Sequence, residues 1–93
     1  MSSSHTVAVL LDEDLLTFNR VIGVVRRRNL PVAGITVGPS GRPGQLRLTF
    51  LVTTDDANAE RLLRQLEKAH GVREAQVRAT TSPAVPQPSE ALP

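Results

Sequence analysis

The sequence contains no cysteine, tyrosine or tryptophan, and its only aromatic residues are Phe18 and Phe50. Without cysteine there is no disulfide, no thiolate metal site and no cysteine nucleophile. With so few aromatics there is little on which nucleobases could stack. No apolar run approaches the ~20 residues that span a bilayer. The first six residues carry no basic n-region, so the chain reads as soluble, untargeted and cytoplasmic. Histidine is limited to His5 and His70, both read as ordinary surface residues. The serines fall in the two termini and one loop, and no Gly-rich turn joins a strand to a helix. Neither a nucleophilic triad nor a phosphate cradle is therefore supplied, and the chain reads as non-catalytic.

Strong charge of one sign is also missing. The net charge is +2, and the high pI of about 10.4 arises because ten of the eleven basic residues are arginine. Counterion release from a nucleic acid needs a concentrated positive face, which a nearly balanced chain does not offer. The reading is no nucleic acid, no membrane and no metal. Asp12, Glu13 and Asp14 form the one acidic cluster, and it lacks the further convergent ligands that a cation site requires.

What is present is one aliphatic domain. The chain has 93 residues, 40% of them hydrophobic, enough for a single core. Residues 82–93 hold four of the seven prolines and no periodicity. The division read from composition is an N-terminal tail at 1–4, a folded domain at 5–80 and a Pro-rich disordered tail at 81–93.

Alternation in residues 6–11 predicts a strand with Val7, Val9 and Leu11 on one face. The acidic triplet then starts a helix, because carboxylates accept the free amides of a first turn. Its stripe is Leu15, Phe18, Ile22 and Val25, and it stops near Asn29 and Pro31. A second strand at 32–37 ends in a Gly/Pro-rich loop at 38–44. A third strand places Leu46, Leu48, Phe50 and Val52 on one face. Asp55 and Asp56 cap a second helix with the stripe Ala59, Leu62, Leu63, Leu66 and Ala69, closed by Gly71. A last strand at 72–79 turns Ala75 and Val77 inward.

The order βαββαβ predicts an α+β, ferredoxin-like sandwich with a four-stranded antiparallel sheet and both helices on one face. The strand order is fourth, first, third, second, which leaves the second strand as an exposed edge. An RNA-recognition module of this order displays aromatics on its first and third strands, but here the first has none and Phe50 faces the core. The open face is predicted as Thr6, Ala8 and Leu10 with Arg47, Thr49 and Leu51, a small mixed surface suited to protein contact.

Three segments carry a resemblance: residues 5–10, the Arg-Val-x-Gly helix Arg20-Val21-Ile22-Gly23 with its end Arg26-Arg27-Arg28, and Gly34-Ile35-Thr36-Val37-Gly38-Pro39. They resemble the ACT domain of acetolactate synthase small subunits, over roughly residues 5–79. The resemblance implies a regulatory subunit of branched-chain amino acid biosynthesis. Such a subunit binds the catalytic large subunit of acetolactate synthase, raises its activity and often confers valine feedback. It implies no cofactor in this chain, with thiamine diphosphate, Mg and FAD on the catalytic partner. It also implies a homodimer through the second strand at Gly34, Ile35, Thr36 and Val37, and partner contacts at Arg20, Arg26 and Arg27. A branched-chain effector such as valine, leucine or isoleucine would sit at Glu13, Asp14, Leu15, Leu16, Gly34 and Ile35. The family's loop here has an Asn-x-Pro-Gly pattern, whereas this chain reads Glu13-Asp14-Leu15-Leu16. Both the proline and the glycine are replaced, and three carboxylates would repel an amino acid's own, so weak or absent feedback is expected. The alternative is a free-standing amino-acid-sensing ACT module that regulates another enzyme.

Overall fold

The computed structural model describes residues 3–79; the expected Pro-rich tail, 81–93, lies outside the described residues. The elements run β1 (Ser3–Asp12), α1 (Leu15–Arg28), β2 (Val32–Pro39), β3 (Gln45–Thr54), α2 (Asp56–Lys68) and β4 (Val72–Ala79). The sheet order is β2-β3-β1-β4 with every pairing antiparallel, as the crossover argument requires.

The core lies between the sheet and the two helices. Val7, Val9 and Leu11 of β1 meet Leu48, Phe50 and Val52 of β3, all essentially fully buried. Val21 from α1 and Ala59, Leu62 and Leu66 from α2 close over them. The period-2 spacing on the strands and the 3.6-period spacing on α2 thus point the same side chains inward that the sequence pattern selects.

Four expectations are corrected. β1 begins inside the stretch read as a tail, because Ser3 and Ser4 pair with Thr54 and Thr53. β2 extends into the predicted loop, since Gly38 and Pro39 pair with Arg47 and Leu46. A proline is tolerated there because this is an edge strand. Leu15 is 74% exposed rather than part of the stripe. The buried face of α1 centres on Thr17 and Val21, and Leu15 lies about 120° around the helix from Val21 at roughly 100° per residue. His5 is buried at 3% exposure, not a surface residue, because it shares the parity of Val7, Val9 and Leu11 and faces α2. Its Nε2 lies 3.0 Å from Asp56 Oδ1 and its Nδ1 3.2 Å from the Ser3 carbonyl oxygen. His70 is exposed as expected.

Two bulges shape the sheet. Ala33 pairs with Leu51 and Thr36 with Thr49, so β2 carries one extra residue at Gly34 and Ile35, and Gly34 takes a φ of +63°. On β4, Leu10 pairs with Glu74 and Leu11 with Val72, which leaves Arg73 as the extra residue.

Candidate functional site

The turn between β1 and α1 is built by its own carboxylates. Asp14 is the N-cap: its Oδ1 accepts the Thr17 amide at 2.8 Å and its Oδ2 accepts the Thr17 hydroxyl at 2.8 Å. These bonds, the amide bond first and the hydroxyl second, hold the Asp14 carboxyl below its ordinary value, aided by the Leu16 amide and the charge of Arg20. Asp12 is drawn to the other side, where the bulged Arg73 grips it at 2.8 and 3.0 Å. The bond to Asp12 raises the Arg73 pKa further. The backbone is tied down as well: Asp12 N–H donates to the Gly71 carbonyl and Glu13 N–H to the Gly44 carbonyl.

Beside this turn runs an open groove of 360 Å³ lined by Glu13, Asp14, Leu15, Phe18, Val37 and Leu46. Its wall is apolar and its rim is acidic, with no cation among the lining residues. Of the residues expected at the effector position, Glu13, Asp14 and Leu15 line it. Leu16 is 68% exposed on the helix beside it. Gly34 and Ile35 lie off the groove, at the bulge farther along β2. Val37, Phe18 and Leu46 are lining residues that sequence reasoning assigned to an edge, a helix stripe and a core face. Val37 pairs with Leu48 and Pro39 with Leu46, which places Val37 on the helix side of β2, a placement the bulge at Gly34 and Ile35 hides from the sequence.

The first-turn amides of a helix can hold an anion. Here the Asp14 carboxylate already takes the Thr17 amide, and Glu13 adds a second negative charge. The groove can accept an apolar or amine-bearing group, whereas a free carboxylate meets repulsion from Glu13 and Asp14.

The edge and the basic helix end complete the surface. Ile35 is 56% and Val37 45% exposed along β2. Asn29, at a φ of +53°, caps α1 and returns its amide to the Arg26 carbonyl. Arg26 and Arg27 have no side-chain hydrogen bond or ion pair among the described residues. Arg28 donates to Gln65 Oε1 at 3.0 Å, and Arg20 reaches the His70 carbonyl at 3.4 Å. Of the three arginines expected to meet a partner, Arg20 is therefore also committed within its own chain. Among the described residues no three His, Asp or Glu side chains converge as a metal site, and no helix is long and apolar enough to cross a membrane.

A family model described as the ACT domain matches residues 14–75. A protein of Archaeoglobus fulgidus named "Probable acetolactate synthase small subunit" is 38% identical over 64 residues, which cover 69% of this chain and 40% of that protein. The "Acetolactate synthase small subunit 2, chloroplastic" of Arabidopsis thaliana is 32% identical over 73 residues, covering 78% of this chain and 15% of that protein. The chain thus spans less than half the length of either relative. The crystal structure of the acetolactate synthase small subunit from Thermotoga maritima superposes with a TM-score of 0.73 at 30% identity, covering 80% of this chain and 46% of that one.

Proposed function

Starting from a chain that belongs to the ACT domain family, we propose that it is a non-catalytic regulatory subunit of acetolactate synthase. It binds the catalytic large subunit and raises its activity by association. The observation that supports this most is the likeness to the Thermotoga maritima small subunit, at 30% identity and a TM-score of 0.73 over 80% of this chain. In this reading thiamine diphosphate, Mg and FAD belong to the catalytic partner. Two copies pair through β2 at Gly34, Ile35, Thr36 and Val37, while Arg26 and Arg27 offer charge to an acidic partner surface. The unpaired backbone of an edge strand and the exposed Ile35 and Val37 supply what such pairing uses.

Feedback by a free amino acid is weak or absent in this proposal. The supporting observation is the capped helix start, where Asp14 takes the Thr17 amide and puts a negative charge where a ligand's carboxylate would lie. Isothermal titration with valine, leucine and isoleucine tests it. No heat is expected at concentrations where a family member with the Asn-x-Pro-Gly loop binds; micromolar binding of any of the three contradicts it. Association itself is tested by copurification with a tagged acetolactate synthase catalytic subunit, and retention of the chain is expected.

A further inference from the structure

On the face of the sheet opposite the helices, β1 lies between β3 and β4, with β2 beyond β3. Strand pairing aligns three rows across β3, β1 and β4: Leu51, Thr6 and Arg78; Thr49, Ala8 and Gln76; Arg47, Leu10 and Glu74. The side chains of Arg47 and Glu74 thus stand on either side of Leu10, one strand to the left and one to the right. Both are exposed, and Arg47 has no side-chain partner among the described residues. Among the described residues Glu74 accepts only from its neighbour Gln76, at 2.7 Å. The middle of the face is shallow because Ala8 and Thr49 are small, and hollows of 170 and 200 Å³ lie along it beside Gln76.

From this arrangement we propose that the open face is a second self-association surface, on which two copies stack face to face about a twofold axis running along β1. Such an axis exchanges the β3 and β4 sides. It sets Arg47 of each copy over Glu74 of the other, Thr49 over Gln76, and Leu51 against the aliphatic stem of Arg78. Leu10 and Ala8, on the axis, meet their own counterparts. A second copy is the occupant because the face is complementary in charge to itself: its cation and anion lie at mirrored positions in one row, and a twofold contact pairs both at once. Stacked sheets lie about 10 Å apart, a gap that facing arginine and glutamate side chains span.

The area limits the strength of this contact. Strands about 4.8 Å apart rising about 3.4 Å per residue give a face of roughly 400–500 Å², so two copies bury roughly 800–1,000 Å². That is near the lower bound for a specific interface, which predicts a weak, salt-sensitive association. The proposal does not depend on edge pairing at β2.

The full chain is tested by sedimentation equilibrium in an Ile35→Lys background, which removes edge pairing and leaves the open face. The single changes Arg47→Glu and Glu74→Arg each set like charges opposite one another and are expected to raise the dissociation constant by about tenfold or more. The combined Arg47→Glu/Glu74→Arg chain restores complementarity and is expected to associate within about threefold of its parent. Circular dichroism confirms folding of each variant. Association by the Ile35→Lys parent, lost in both singles and regained in the combined chain, supports the proposal. A parent that stays monomeric, or charge reversals without effect, overturns it. If Ile35→Lys leaves the assembly size of the unaltered chain unchanged, edge pairing fails separately.

Discussion

Gly71 leaves room for Thr17 and for nothing larger. A Cβ at Gly71 would lie 2.6 Å from both Thr17 Oγ1 and Thr17 Cγ2, and the Gly71 φ is +92°. Thr17 is the residue whose amide and hydroxyl hold the Asp14 carboxylate, so the turn after α2 sets the position of the cap at the start of α1. Gly71→Ala should therefore cost about 2–4 kcal/mol, combining left-handed backbone strain with overpacking. Urea unfolding measures it. The cost should shrink when Thr17→Ala is made in the same chain, whereas additive losses would show that the two residues act separately.

Asp14 carries a pH signature. Its folded carboxyl titrates below its ordinary value of 3.8. It therefore adds stability that is present above that ordinary value and lost as pH falls through the lowered folded value. Unfolding midpoints of the unaltered chain and Asp14→Ala, followed from neutral pH downward, should differ at neutral pH. They should converge in acid, with Asp14→Ala the less stable throughout the upper range. A difference that persists unchanged into acid, below the lowered folded value, contradicts the assignment.

The contrast between two leucines tests the packing. Leu62 is fully buried, and Leu62→Ala should cost about 2–5 kcal/mol. Leu15 is 74% exposed, and Leu15→Ala should change stability by no more than about 0.5 kcal/mol. Equal losses would mean that α1 packs through the face its sequence stripe suggests.

The turn between β1 and α1 can be rebuilt to the Asn-x-Pro-Gly pattern. A chain carrying Glu13→Asn, Asp14→Ser, Leu15→Pro and Leu16→Gly keeps a capping oxygen and a proline at the first helical position while it removes two carboxylates. This chain should gain valine binding detectable by titration calorimetry where the unaltered one has none. A rebuilt loop that stays inert would place the obstacle elsewhere in the groove.

Most of the fold was legible because its cues are local. The alternation through β3, the Asp14 and Asp55 caps and the stripe of α2 each depend on residues within a few positions of one another. The crossover rule then carried these elements to the sheet order. The site was less legible because its determinants are distant in sequence. His5 meets Asp56, which lies 51 positions away, and Arg73 reaches Asp12 across 61. The bulges at Gly34 and Arg73 shift register by one residue, which a period-2 pattern cannot register in advance. Leu15 misled because apolar spacing identifies a helix but does not say which of its apolar residues meets the sheet.

Acetolactate formation by a purified acetolactate synthase catalytic subunit, titrated with this chain, tests the regulatory role most directly. The turnover rate should rise and saturate as the chain is added, and valine should not reverse the rise. A rate that stays at its starting value through the titration, with the chain folded, would contradict the role.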